Sequence, residues 1–195
     1  MDHRRGPFWT FVLIAVCVVV FILQQITPLE VYTYFVPAYA FSRPWTFVTS
    51  IFLHADFSHI FFNMFALLIF GIFLESKVSG KTFLIIFFLS GIIGNFGYML
   101  TALGSTTPGL GASGAIYGIL GTLAVIAPLA TVFIGFFPMP MIFAAFVWGI
   151  TEFLGLFAPG YIAHGAHLAG LFVGIAFGFY LRTQRRKRIV RFYRV

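Results

Sequence analysis

The sequence predicts an all-α membrane protein, a bundle of six membrane-crossing helices with both termini on the cytoplasmic side. Three observations predict it. First, the chain is 61% hydrophobic and 20% aromatic but only 9% charged, where soluble domains carry about 25% charged residues. A soluble core of 195 residues has too little interior for that much apolar surface. Second, apolar runs of spanning length alternate with short polar or Gly- and Pro-rich connections. Third, the charge is laid out by side. Seven of the twelve Lys and Arg residues, Arg182, Arg185, Arg186, Lys187, Arg188, Arg191 and Arg194, fall in residues 182–195. With six spans, that tail shares one side with Arg4, Arg5, Lys77 and Lys81, and only Arg43 lies opposite. The positive-inside rule makes the charged side cytoplasmic, whereas five or seven spans would split the charges.

The first span is read at about 7–26, opened by Pro7 in its first turn. Arg4 and Arg5 before an apolar run mimic a signal peptide. No small-residue cleavage site follows Leu23-Gln24-Gln25, so the run is read as a retained helix. Residues 27–57 are too polar and too broken by Pro37 and Pro44 to span. Tyr32, Tyr34, Tyr39 and Trp45 have the character of interfacial aromatics, so this long loop is expected in the outer interface. The second span, about 57–77, has Asp56 as its expected N-cap. The turn 76–81 leads to the third span, about 82–103, and a glycine-rich loop, 104–112, follows.

The fourth span, about 113–127, is short against the ~20 residues a crossing needs. A helix that starts at Ser113 below the surface implies that the glycine loop dips in to meet it. Irregular backbone at depth requires protein or water around it, so a hydrated pocket is expected there. Residues 128–140 are a connection, with Pro138 and Pro140 marking the restart. The fifth span is about 141–157, Ala158-Pro159-Gly160 turns the chain, and the sixth span is about 163–181. Residues 1–181 thus form one membrane domain, and 182–195 a basic tail read as a cytoplasmic stop and a contact for anionic lipid rather than for nucleic acid. The single cysteine, Cys17, excludes an intrachain disulfide.

Ionisable and amide side chains inside spans are costly and mark function by default. Here they are His59, Asn63, Glu75, Glu152, His164 and His167, with His54 just outside. Ser113, between small residues at a helix start, is a candidate nucleophile, and His167 its candidate base. Gly114, Gly118 and Gly121 line the fourth span; Gly170, Gly174 and Gly178 line the sixth, and such stripes let two backbones approach closely. His59 and Asn63, four apart on one face, offer N–H groups to a developing oxyanion, as does the backbone of Ser113. The residues alone leave a second reading open, in which glycine-packed helices simply share polar contacts.

Glu152, in mid-span, is expected to hydrogen-bond a neighbouring helix. Glu75 lies near the cytoplasmic end and is read as structural. His167 therefore has no expected acidic partner, and the arrangement is read as a dyad. Tyr117, one turn after Ser113, would orient the imidazole by stacking on it. His54, His59, His164 and His167 also offer an imidazole set for a metal, the basis of an alternative reading as a metal transporter.

Three stretches in order carry a resemblance: His54-Ala55-Asp56-Phe57-Ser58-His59 with Asn63; Gly111-Ala112-Ser113-Gly114; and Ala166-His167-Leu168-Ala169-Gly170 with Gly174. Together the chain resembles the rhomboid intramembrane serine proteases, in their minimal six-helix bacterial and archaeal form. The resemblance implies Ser113 as nucleophile and His167 as general base, with no cofactor and no metal. It implies His59 and Asn63 at the oxyanion, Tyr117 stacked on the histidine, and His54 supporting the first loop. Gly170 and Gly174 match close-packing glycines of the last helix, Gly111 and Gly114 flank the serine motif, and Glu75 matches an acidic residue ending the second helix. Substrates would be transmembrane proteins with helix-weakening residues, cut near the outer face of a prokaryotic inner membrane. The fifth span and the loop after it would form a lateral gate, with Phe146, Trp148 and Phe153 as its bulky packing. One departure concerns the first loop, where Trp45 is followed by Thr46 in place of the family's usual arginine. A non-catalytic protein that binds transmembrane helices is the alternative within the resemblance.

Overall fold

The computed structural model describes residues 6–192 apart from 135, 159 and 161. Arg4, Arg5, Pro159 and Arg194, all used in the sequence reading, lie outside the described residues. The longer helices are α1 (Phe8–Ile26), α2 (Phe57–Glu75), α3 (Gly80–Thr101), α4 (Ser113–Ile126), α5 (Met141–Gly155) and α6 (His164–Phe192). By length and composition α1, α2, α3 and residues His164–Gln184 of α6 suit a membrane crossing, while α4 and α5 are shorter apolar helices.

Helix starts follow local chemistry. The Asp56 carboxylate accepts the His59 N–H at 2.8 Å and so caps α2. Its hydrogen bonds to Ser58 and to the His59 backbone hold that carboxyl below the usual carboxylate range. Helix α3 starts at Gly80, two residues before the expected start, because the Ser79 hydroxyl caps it by accepting the Thr82 N–H at 3.2 Å. Pro7 sits at the N-cap of α1, just outside the first turn. Inside α2, Leu67–Gly71 winds as a π-helix, the type of single-turn widening that re-phases a helix face. The helical backbone of α6 runs on past Leu181 to Phe192.

The all-α expectation needs one correction. Residues expected as a plain connection form an antiparallel ribbon, β1 (Thr131–Ile134) and β2 (Phe137–Pro140), in register Thr131 opposite Pro140 and Ile134 opposite Phe137. The β-branched and aromatic run Thr131-Val132-Phe133-Ile134 favours extended backbone. Pro138 and Pro140 are tolerated because each strand has only one partner.

The loop before α2 is pinned to α3 and to the loop that precedes α4. The Asn95 amide donates to Phe47 O and Ser50 Oγ, both at 2.9 Å. Phe35 and Gly109 exchange backbone hydrogen bonds at 3.0 and 2.7 Å. Thr46, which stands where the resemblance expects arginine, is buried and donates its hydroxyl to Arg43 O at 2.6 Å. The Trp45 indole N–H is turned to Tyr32 O at 2.9 Å. The loop is therefore held by backbone carbonyls.

Helix α4 is the centre of the bundle, with ten of its fourteen residues buried. Its glycine face meets that of α6: a Cβ on Gly170 would collide with Gly114 O, and one on Gly174 with Gly118 O. At the other end of the molecule, Glu75 closes α1 against α2. Its carboxylate accepts the Trp9 N–H, the Thr10 N–H and the Thr10 hydroxyl at 2.9, 2.9 and 2.8 Å. These are first-turn amides of α1 that no helical carbonyl satisfies. Glu75→Ala leaves them unpaired in a buried site, so it is expected to lower stability by about 3 kcal/mol, read as a fall in thermal midpoint in detergent.

Candidate active site

Ser113 is the first residue of α4, after Ala112 at the N-cap. The turn that delivers it depends on Gly111, whose φ of +117° lies where side chains are strained. A Cβ there would also stand 2.8 Å from His59 Nε2. The Gly111 N–H donates to Ser50 O at 2.9 Å, tying the turn to the first loop. His167, in the first turn of α6, brings Nε2 to 2.7 Å from Ser113 Oγ. The Tyr117 ring stacks on that imidazole at 4.6 Å between centroids and 9° between planes. A cavity of about 20 Å³, the size of about one water, opens beside the serine between Gly91, Asn95, Gly111 and Ala166.

His59 accepts the Ala55 N–H on Nδ1 at 3.3 Å. Its proton then belongs on Nε2, the nitrogen beside Gly111 and the serine. Asn63 is buried and donates one amide hydrogen to His59 O at 2.9 Å. Its second amide hydrogen remains for another acceptor. His54 packs edge-on to His59 with centroids 5.1 Å apart. It is fully buried, and neither ring nitrogen has a hydrogen-bond partner among the described residues. Its backbone is clasped instead by Gln24, which accepts the His54 N–H at 3.1 Å and donates to His54 O at 3.2 Å. Burial, with His59 alongside, pushes the His54 imidazole down to about 4.

One expectation is overturned. His167 does meet an acid: Glu152 Oε2 lies 2.9 Å from His167 Nδ1. The contact is a close approach of ring nitrogen and carboxylate in which Nδ1 makes no hydrogen bond. The same oxygen lies 2.6 Å from His164 Nδ1, and Oε1 accepts the Tyr117 hydroxyl at 2.5 Å. The sequence did carry a signal, a mid-span carboxylate expected to hydrogen-bond a neighbouring helix, as it does to Tyr117 of α4. Nothing in the spacing told which helix it faces, because α5 and α6 are joined by a turn whose angle the sequence does not set.

The four-imidazole metal set does not form a group. Among the described residues, the one trio with ligand atoms close enough for an ion is Glu152, His164 and His167. Its contacts of 2.6 and 2.9 Å are hydrogen-bond separations. Tetrahedral ligands about 2.0–2.1 Å from zinc stand roughly 3.3 Å apart. The residues as placed therefore fit shared protons better than an ion.

A helical membrane protein with a serine and a histidine joined at two helix starts is thus defined by its own geometry. The Rhomboid domain family model matches residues 42–184, and the chain belongs to the rhomboid family. It is 33% identical over 144 residues to the putative rhomboid protease YdcA of Bacillus subtilis, covering 74% of this chain and 70% of that one. It is 27% identical over 196 residues to the rhomboid protease GlpG of Klebsiella pneumoniae, covering 96% and 68%. It is 30% identical over 155 residues to the mitochondrial Rhomboid protein 1 of Saccharomyces cerevisiae, covering 73% of this chain and 44% of that one. The chain thus spans less than half the length of the yeast relative.

Two outcomes are expected. Gly111→Ala forces a non-glycine residue to a left-handed φ, at roughly 1–3 kcal/mol, and displaces His59. It should lower the thermal midpoint and weaken any reaction at Ser113. For His54 the pH effect has a definite sign. Its folded pKa is depressed, so the unfolded chain binds the extra proton between pH 6.5 and about 4, and stability is lost as pH falls through that window. The shift corresponds to about 3 kcal/mol. Thermal unfolding measured across the window should show a smaller acid slope for His54→Gln than for the wild type.

Proposed function

We propose that this chain is an intramembrane serine endopeptidase that cuts transmembrane proteins near the outer end of a substrate helix. Both termini are cytoplasmic, α4 and α5 complete the crossings with the four longer helices, and the membrane is a prokaryotic inner membrane. The observation that carries the reading is the 2.7 Å approach of His167 Nε2 to Ser113 Oγ, with Tyr117 stacked on the ring. The protease names of the bacterial relatives support it.

The chemistry follows from the atoms. Ser113 Oγ attacks the scissile carbonyl carbon while its proton passes to His167 Nε2. The carbonyl oxygen becomes an oxyanion, for which His59 Nε2–H, the free Asn63 amide hydrogen and the Ser113 backbone N–H are the available donors. The intermediate collapses, the C–N bond breaks, and His167 gives its proton to the leaving amine. Water then attacks the acyl-enzyme ester, its proton goes to His167, and Ser113 is regenerated. No cofactor enters these steps. Peptide bonds of a substrate helix are closed into helical hydrogen bonds, so segments weakened by glycine or proline are the preferred substrates. The side of α5 that bears Phe146 and Phe153, both exposed, serves as the lateral gate. The basic residues after Leu181 contact anionic lipid.

The test is reaction with a fluorophosphonate in detergent, paired with cleavage of a model transmembrane peptide. Ser113→Ala and His167→Ala should each reduce both reactions by at least about 10³-fold. Full cleavage by Ser113→Ala contradicts the proposal.

A further inference from the structure

We propose that Glu152 is a positioning residue for His167, so that the site works as a serine–histidine–glutamate array whose acid is supplied by α5. The inference rests on the function proposed above and adds a residue to it.

The first ground is where Glu152 sits. In the C-terminal half of α5 the neighbouring Phe146, Ile150, Phe153 and Leu154 are 44–63% exposed, while Glu152 is 9% exposed. Beyond Ala145 it is the only buried residue of the helix. An ionisable side chain is thus the one fully buried group in this half of α5, beside a Trp148 that is only partly buried against the core. A carboxylate buried within a bundle is expensive unless every oxygen is engaged. Here each oxygen is. Oε1 takes the Tyr117 hydroxyl, and Oε2 faces the Nδ1 atoms of both His164 and His167.

The second ground is what those partners do. Tyr117 touches His167 by its face and Glu152 by its hydroxyl. The imidazole is therefore held on its plane by one residue and at its Nδ1 edge by a group that the same residue anchors. A proton on Nδ1 facing the carboxylate leaves Nε2 bare toward Ser113 Oγ, the tautomer that a base requires. When Nε2 takes the serine proton, the carboxylate faces the positive ring. The 2.9 Å contact is not yet a hydrogen bond, and catalytic hydrogen bonds are commonly loose before substrate tightens them. His164 holds the second position on Oε2. A Cβ on Gly155 would collide with the His164 ring, so the bare backbone of α5 makes room for the imidazole beside Glu152. Because the acid comes from α5 and the reacting pair from α4 and α6, the orientation of the base depends on how α5 is seated.

The experiment uses the full chain in detergent and reads fluorophosphonate inactivation as a maximal rate and a half-saturating concentration. Glu152→Gln keeps the size and an acceptor for Tyr117, but offers Nδ1 an amide that can force the wrong tautomer. It should lower the maximal rate by about 10–10³-fold, below the ~10⁴-fold of the corresponding serine-protease substitution. The half-saturating concentration should stay within threefold and the thermal midpoint within a few degrees. Glu152→Asp should recover at least tenfold over Glu152→Gln. A wild-type maximal rate in Glu152→Gln overturns the inference while leaving Ser113 and His167 in place. So does a loss that Glu152→Asp fails to recover and that tracks a fallen thermal midpoint, since that is the mark of a structural anchor. Labelling that survives in Ser113→Ala overturns both this inference and the function beneath it.

Discussion

The structure depends on the contact of two bare backbones. Where α4 crosses α6, Gly114 and Gly118 meet Gly170 and Gly174 so closely that a Cβ added at Gly170 or Gly174 would strike a carbonyl oxygen. Close approach of small residues is the main adhesive available to helices in lipid, where apolar burial drives nothing. That approach has a chemical result. Ser113 and His167 are one residue before and three residues before the contact glycines, so the spacing of the backbones sets the spacing of Ser113 Oγ and His167 Nε2. Any widening at Gly170 opens the 2.7 Å contact directly.

Around that seam, polar groups are arranged so that few are left alone. Glu75 answers the orphan amides of α1, Asn95 answers the first loop, and Glu152 answers two imidazoles and a phenol. Each ties together elements far apart in the chain. Among the described residues the buried side-chain atoms without a hydrogen-bond partner are Ser90 Oγ, His167 Nδ1 and both ring nitrogens of His54; His54 packs against His59. The first loop, which the resemblance would hold through arginine, is held here by Thr46, Trp45 and Asn95 bonding backbone carbonyls.

Much of this was legible in the sequence, because a membrane leaves few alternatives. Apolar runs bounded by glycine, proline and capping residues marked the helix starts, and Ser113, His167, Tyr117, His59 and Asn63 were singled out by polarity at depth. What was not legible depends on relations between elements. The ribbon of β1 and β2 was missed because Pro138 and Pro140 read as a restart, and two prolines in one strand are acceptable only when its far edge is unpaired. The Glu152–His167 contact was missed because the helix starts fix where residues lie along the axis but not the rotation of α5 about it. A period of 3.6 gives a face, and α5 is apolar nearly all round, so no face announced itself.

The most direct measurement is a crystal structure of the chain after reaction with a fluorophosphonate. The mechanism requires phosphorus bonded to Ser113 Oγ, with the phosphoryl oxygen in hydrogen-bond reach of His59 Nε2, Asn63 Nδ2 or the Ser113 N–H, and His167 beside the serine oxygen. Phosphorus bonded to any other residue, or a phosphoryl oxygen turned away from all three donors, would contradict it.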